Sequence, residues 1–377
     1  MKIAFVSAHP FTYPGGIKTH ILNLKRELEK KGHQIKIILP RDRFPQKKEK
    51  DFIFLGGALY IPGNASRTNL SFALNPYSIY KKLKEEKFDI LHFQSFNPFL
   101  SWQILEISKH FFKNVISIIT LHSVLDASWL SKEFSIFEVL NKYILPKFDG
   151  VIGVSSPTFY QINYKGLKEI IPNGIDLNFF RPEGELIKKF EDKKKLNLLF
   201  VGRFDKRKGL IYLLKAYKIL KKKYHNLRLI IIGDSEKRKK IENFINENKL
   251  KDVFLEGKVE LNQLPGYYRV ADICCFPSIY GEAFGIVLLE AMASEKPIVA
   301  FRNQGYKEIL IDKGKDFLVE PKNFKELAKK IEILIKDKSL RKELGRWGRK
   351  ETEKYSWDKI TQKTLDFYKK VIKQKSN

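Results

Sequence analysis

The sequence predicts an α/β protein built from two doubly wound domains, each a mostly parallel sheet with helices on both faces. Three observations carry this. The chain has 377 residues, beyond the size at which one hydrophobic core keeps growing. Short apolar runs alternate with helical stretches along its length, as in parallel sheets joined by crossover helices. One unit of strand, glycine turn, helix and strand opens each half.

The first unit starts at the N-terminus. Lys2–Ser7 reads as a buried strand and Pro14-Gly15-Gly16 as a tight turn. Ile17, Ile21, Leu24 and Leu28 then keep helical spacing, in a helix running to about Lys31 and closed by Gly32. Gln34–Leu39 is the next strand, and further strands are expected at Ile90–Phe93, Val115–Thr120 and Val151–Val154. The second unit starts at Leu196 with the strand LNLLFV; Gly202 and Gly209 bracket a turn, a helix runs to about Lys223, and LRLIII is the next strand. β-like runs at 253–255, 273–276, 297–301 and 317–319 follow. The polar, breaker-containing stretch between Asn178 and Lys194 marks the boundary. The expected domains are 1–178 and 195–355, with a last helix, 356–377, folding back onto the first domain. Two Rossmann-like halves facing across a cleft would join their strand-end turns, where doubly wound folds bind ligands.

Composition bounds the function. Hydrophobic residues make up 43% and charged residues 30%, which fits a globular chain and excludes a disordered one. No segment is long and apolar enough to span a bilayer. MKIAFVSAHP reads as a first strand, not a signal peptide. Cys274 and Cys275 are neighbours in an apolar run, on opposite strand faces, and read as small buried hydrophobes of a reducing compartment. The expected location is cytoplasmic. The net charge of +28 suits nucleotide phosphates, a lipid surface or nucleic acid; a Lys-rich surface set by genome composition or heat adaptation explains it equally well. A nucleic-acid binder needs a basic stripe with interleaved aromatics, whereas these lysines scatter over many helices, so no nucleic-acid partner is expected. Arg41, Arg43, Lys47, Lys48 and Lys50 crowd one stretch with Phe44 and Phe52 among them. That stretch suits the inner face of an anionic membrane, or it is a solvated loop.

The strongest chemical signal is the run from Ser278 to Ala293, in which a strand feeds a loop carrying Glu282, and Gly285 begins a helix carrying Glu290. A helix N-terminus presents unpaired N–H groups and partial positive charge, which suits a phosphate. An N-capping glutamate on an ordinary amphipathic helix is the plainer alternative. Next comes Gly202-Arg203-Phe204-Asp205-Lys206-Arg207-Lys208-Gly209, where Arg203 and Lys208 flank a turn after a strand. Two fixed cations stabilise a leaving diphosphate; a solvated basic turn is the alternative. Gly15-Gly16 before His20, Thr120-Leu121-His122 at a strand end, and Ile171-Pro172-Asn173-Gly174 are each weak alone. Zinc or iron spacings, a Walker loop, a nucleophile elbow and the Gly-x-Gly-x-x-Gly fingerprint do not occur.

In this order the motifs resemble glycosyltransferase family 4: Gly15-Gly16-x3-His20, Thr120-x-His122, Pro172-Asn173-Gly174-Ile175-Asp176, Gly202-Arg203-x4-Lys208-Gly209 and Glu282-x7-Glu290. The likeness runs from Met1 to about Tyr368. It implies the glycosyltransferase-B fold, a retaining hexosyl transfer of mannose or glucose type from GDP-mannose or a UDP-sugar, no catalytic metal, and no cofactor beyond that donor. It also implies roles. Gly16 would let its loop approach the diphosphate and His122 would contact the donor sugar. Arg203 and Lys208 would hold the diphosphate, and Glu282 would bind sugar hydroxyls. Phe284, Gly285 and Ile286 would offer backbone donors, Glu290 would hold the ribose, and Val259 would flank the base. Leu55-Gly56-Gly57, Ile61-Pro62-Gly63-Asn64 and Phe88-Asp89-Ile90-Leu91-His92 resemble phosphatidylinositol mannosyltransferases more closely. They imply a lipid-linked or other glycan acceptor met by Asn64 and Arg67. Rival readings are a nucleotide-sugar epimerase on the same fold, which needs no acceptor, and a basic nucleic-acid-binding protein.

Overall fold

The computed structural model describes residues 1–377 apart from Ala8, 13–14, 45–48, 62–67, 96–98, 125–139, Gln161 and Asn377. It divides into two units: Met1–Gly174 together with Trp357–Asn377, and Ile175–Ser356.

The first unit carries β1 (Lys2–Ser7), α1 (Gly16–Lys30), β2 (Gln34–Arg41), β3 (Phe52–Ile61), β4 (Thr68–Phe72), α2 (Pro76–Glu86), β5 (Ile90–Gln94), α3 (Leu100–Phe111), β6 (Ile116–Leu121), β7 (Gly150–Gly153) and β8 (Leu167–Ile170). Its sheet runs β4-β3-β2-β1-β5-β6-β7-β8, parallel except for β4 against β3. Both faces of β1 are covered, so Ile3, Ala4, Phe5 and Val6 are wholly buried; that is why the strand is a continuous apolar run. β1 pairs with β2 on one side and β5 on the other, so the winding reverses between β1 and β5. The crevice outside the carboxyl ends of such a strand pair is the ligand position of doubly wound sheets.

The second unit carries β9 (Leu196–Val201), α4 (Leu210–Lys221), β10 (Leu227–Ile232), α5 (Arg238–Glu247), β11 (Val253–Gly257), α6 (Leu264–Val270), β12 (Ile273–Phe276), α7 (Ile286–Ala293), β13 (Ile298–Phe301), α8 (Asp312–Lys315), β14 (Leu318–Val319), α9 (Phe324–Lys336) and α10 (Lys338–Thr352). Its sheet, β11-β10-β9-β12-β13-β14, is parallel throughout and reverses its winding between β9 and β12. Cys274 and Cys275 in β12 are both free and buried.

The last helix, α11 (Trp357–Ser376), belongs to the first unit. Trp357, Ile360, Leu365, Phe367, Tyr368 and Val371 share a core with Ile3, Phe5, Ile21 and Ile118. Gly150 at the head of β7 makes room for it: a Cβ there would stand 2.9 Å from the Phe367 ring and 2.8 Å from Val371.

Three differences from the sequence reading have physical causes. The stretch between Asn178 and Lys194, read as the boundary, belongs to the second unit, which begins at Ile175. Two arginines fasten it by its carbonyls: Arg269 donates to Arg181 O and Glu185 O, both at 3.0 Å, and Arg349 donates to Phe180 O at 2.9 Å. Phe190 in that stretch is 1% exposed. Second, β3, β4 and β8 were not foreseen, because β3 contains Gly56-Gly57 and β8 is a half-polar edge. Third, Phe52 is no free aromatic of a membrane-facing loop. It opens β3 and packs edge-on against Phe11 at 5.8 Å. Phe44 is 38% exposed under the Arg43 guanidinium, while Lys47 and Lys48 lie outside the described residues. Among the described residues no helix is long and apolar enough to cross a membrane.

Phe367→Ala should therefore destabilise the first unit by about 3–5 kcal/mol, read as a shifted urea-unfolding midpoint. A loss below about 1 kcal/mol would detach α11 from that core.

Candidate functional site

In the second unit the site grows from the carboxyl ends of β9 and β12. After Val201 the chain turns through Gly202 and Arg203 to Asp205, a carboxylate 4% exposed. Its Oδ1 accepts the Lys208 backbone N–H at 3.1 Å, capping the short turn. Its Oδ2 lies 3.3 Å from Arg203 Nη2 and 3.7 Å from Arg207 Nη2. Gly209 closes the turn at φ 66°, and a Cβ there would run into the Pro277 carbonyl of the loop after β12; only glycine lets the two loops meet this closely. The Ile279 N–H donates to Arg207 O at 2.7 Å, and Arg207 Nη1 donates to Gly281 O at 3.2 Å. Joined in this way, the loops bring Lys208 Nζ to 2.7 Å from Glu282 Oε1, both side chains largely buried.

The same loop runs into α7. Gly285 caps the helix at φ 111°, and a Cβ there would stand 2.6 Å from the Tyr306 ring. Tyr306 in turn donates to Ser278 Oγ at 3.1 Å, and Asn303 Nδ2 donates to Ser278 O at 3.0 Å. The leading amides of α7, around Phe284, Gly285 and Ile286, are thus held by a fixed scaffold, and such amides lack intrahelical partners. Phe284 itself is buried, edge-on to Tyr355 at 5.8 Å. One turn along, Glu290 accepts from Tyr268 OH at 2.7 Å. Burial pushes its carboxyl up to about 7, against the opposing pull of Tyr268 and Lys208. Val259 is half-buried in the loop after β11, two strands from β9 in the sheet.

The first unit offers a different chemistry at its own strand ends. His122 follows β6, donates from Nε2 to Gln94 Oε1 at 2.8 Å, and meets the His20 ring edge-on at 4.7 Å. His20 donates from Nδ1 to Asn173 Oδ1 at 3.0 Å and touches Trp357 of α11 at 5.3 Å. His92 hydrogen-bonds Thr120 Oγ1 and Tyr368 OH, each at 2.7 Å. Burial lowers all three imidazoles, His20 to about 4, His92 to about 3, and His122 well below the usual value. All three are neutral near pH 7. Gly16 is the exposed first residue of α1. Asn64 and Arg67 lie outside the described residues.

Arg203, Lys208, Glu282, Gly285 and Glu290 thus share one corner of the second unit. His122 stands with His20 and Asn173 in the first. Sequence reasoning missed Asp205, Arg207, Tyr268 and Gln94. Asp205 was legible as a cap three residues before Lys208, and Gln94 as the last residue of a strand. Tyr268 and Arg207 act through tertiary contacts that no local pattern announces. Among the described residues, no group of three or more His, Cys, Asp or Glu side chains gathers as a metal site.

Comparison with known proteins agrees with this architecture. Residues 14–179 match the family model described as Glycosyltransferase Family 4, and residues 183–351 match that described as Glycosyl transferases group 1. The chain is 30% identical to an uncharacterized glycosyltransferase of Methanocaldococcus jannaschii, covering 98% of this chain and 99% of that one. It is 28% identical to a phosphatidyl-myo-inositol mannosyltransferase of Mycolicibacterium smegmatis, covering 98% and 94%. In structure it is similar to a sucrose-phosphate synthase of Thermosynechococcus elongatus, with TM-score 0.77 at 21% identity over 99% of both chains. It is also similar to the Anabaena protein HepE in complex with UDP-glucose, with TM-score 0.74 at 18% identity over 98% and 100%. These neighbours share its fold, the glycosyltransferase-B arrangement of two parallel-sheet α/β domains. With a relative matched end to end and a family model on each half, this chain belongs to the glycosyltransferases of family 4.

Proposed function

We propose that the chain moves a hexose of mannose or glucose type from a nucleoside-diphosphate sugar to a hydroxyl of a lipid-linked or glycan acceptor, retaining the anomeric configuration and using no metal. The second unit is the donor side and the first the acceptor side. One observation carries the reading: the Gly209–Pro277 contact joins two loops so that Lys208, Glu282 and the leading amides of α7 share one corner. That corner is built for a diphosphate beside sugar hydroxyls. The relatives named as phosphatidyl-myo-inositol mannosyltransferases favour mannose and an inositol-lipid type of acceptor.

In this mechanism the acceptor oxygen attacks C1 on the face from which the diphosphate departs. The C1–O bond to the diphosphate breaks, and the acceptor proton passes to the departing phosphate oxygen. Arg203, Lys208 and the α7 amides stabilise the charge that develops there. Arg203→Ala or Lys208→Ala should lower kcat/KM by roughly 100- to 1,000-fold, about 3–4 kcal/mol of transition-state stabilisation. The assay follows nucleoside diphosphate released only when acceptor is present, after thermal shift with GDP-mannose, UDP-glucose and UDP-N-acetylglucosamine has chosen the donor. Rates within twofold of the parent would sink the assignment.

Glu290 makes the donor site sensitive to pH. Ribose hydroxyls donate to it, so donor binding favours the carboxylate, while the empty pocket holds the carboxyl near 7. Below that value binding must expel a proton, and affinity should fall by up to about tenfold per pH unit. The folding balance runs the other way: a raised carboxyl pKa favours the fold at low pH, and that contribution disappears as pH rises through about 7. Calorimetry with the donor at about pH 6 and pH 8 should show this, and Glu290→Gln should abolish it. Equal affinity at both values in the parent would remove Glu290 from the ribose site.

The membrane reading moves from residues 41–52 to the surface around α2 and α3. There Leu74 is 90%, Tyr77 65% and Phe111 57% exposed, beside the exposed Lys84 and Lys113. Such a mixed face suits an anionic bilayer at the cytoplasmic surface. Co-sedimentation with phosphatidylglycerol vesicles should exceed that with phosphatidylcholine vesicles and fall with salt; equal sedimentation would leave the protein off the membrane.

A further inference from the structure

Gln94 is the last residue of β5, wholly buried at the point where the first unit's sheet reverses its winding. Among the described residues its carboxamide makes one hydrogen bond, Oε1 accepting from His122 Nε2 at 2.8 Å; its Nε2 is buried without a partner. Among the described residues the side chain therefore hydrogen-bonds that imidazole and no other group. A carboxamide oxygen can only accept, so Nε2 of His122 carries the proton and Nδ1 keeps its lone pair. The charge state is constrained as well. The titratable groups facing His122 are His20 from α1 and His92 from β5, both themselves buried and neutral. An imidazolium would donate from both nitrogens and offer no acceptor to a hydroxyl.

We propose that Gln94 is a positioning residue for transfer: by accepting the Nε2 proton of His122 it fixes a neutral imidazole whose Nδ1 accepts a hydrogen bond from a substrate hydroxyl. This rests on the transfer reading above and adds a residue to it. A glutamate in this place would form a buried ion pair with His122, draw a second proton onto the ring, and turn the acceptor into a donor.

Two variants and two readouts test it. In protein with isotope-labelled histidine, NMR should find the parent His122 as the Nε2–H tautomer, its titration displaced well below that of a free imidazole. In Gln94→Glu the ring should titrate between about pH 6 and 8. At saturating donor, kcat of Gln94→Glu should gain an acid limb absent from the parent, falling about tenfold from pH 8.5 to pH 6. Gln94→Met removes the acceptor without adding charge and should lower kcat about tenfold at every pH, the scale of one hydrogen bond, with donor Kd unchanged. Parent-like kcat and pH profile in both variants, or an Nδ1–H tautomer in the parent, overturns the proposal. If the parent binds donor yet transfers no sugar, the transfer reading falls, and the tautomer and titration still decide whether Gln94 sets His122.

Discussion

In each unit the sheet winds outward from one strand in both directions, and the loops leaving that strand and its neighbour are not separated by a crossover. The chemistry of the chain depends on this constraint. At β9 and β12 it lets the turn around Gly209 press against Pro277, and from that contact follow the Arg207–Gly281 bond and the Lys208–Glu282 pair. At β1 and β5, with β6 alongside, it places two hydrogen-bonded pairs side by side, His92 with Thr120 and His122 with Gln94. A side chain added at Gly209 would part the two loops before it touched any charged group.

The two clusters differ in kind. The second unit's corner is built of full charges: Arg203, Arg207 and Lys208 against Asp205 and Glu282, with a helix N-terminus beside them. The first unit's is built of neutral groups, three imidazoles that burial keeps uncharged, an amide, a threonine and a tyrosine. The difference matches the two partners of the proposed transfer. In that proposal a diphosphate would meet fixed cations that need not reorganise, and hydroxyls would meet neutral donors and acceptors. α11 ties itself to the neutral side, since Tyr368 holds His92 and Trp357 backs His20.

Much of this was legible in the sequence, for local reasons. β1, β9 and β10 are continuous apolar runs, and the helices that follow glycine turns keep helical spacing, so their bounds fell within a residue or two. Arg203, Lys208, Glu282 and Glu290 were legible because strand, loop and helix are adjacent in sequence. What escaped depends on distant partners. Residues 178–194 look like a linker until Arg269 and Arg349, far along the chain, take up their carbonyls. Phe52 looks like a loop aromatic until Phe11 packs against it. Gln94 looks like any strand end until His122, across a parallel pairing, supplies its hydrogen bond.

The Lys208–Glu282 pair also bears on how any loss at this corner is to be apportioned. Both side chains are mostly shielded from water, 17% and 12% exposed, so removing one leaves the other buried without its counter-charge, a penalty distinct from any contact with a ligand. Arg203 differs, being half exposed with a guanidinium that water can serve in place of Asp205. A loss at Arg203 therefore measures its own contribution more cleanly than a loss at Lys208, which includes the stranded carboxylate of Glu282. Because the two residues act as a pair, their separate effects need not add. The corner is better understood as one coupled unit, in which Arg203 and Arg207 share Asp205 and Lys208 is matched by Glu282.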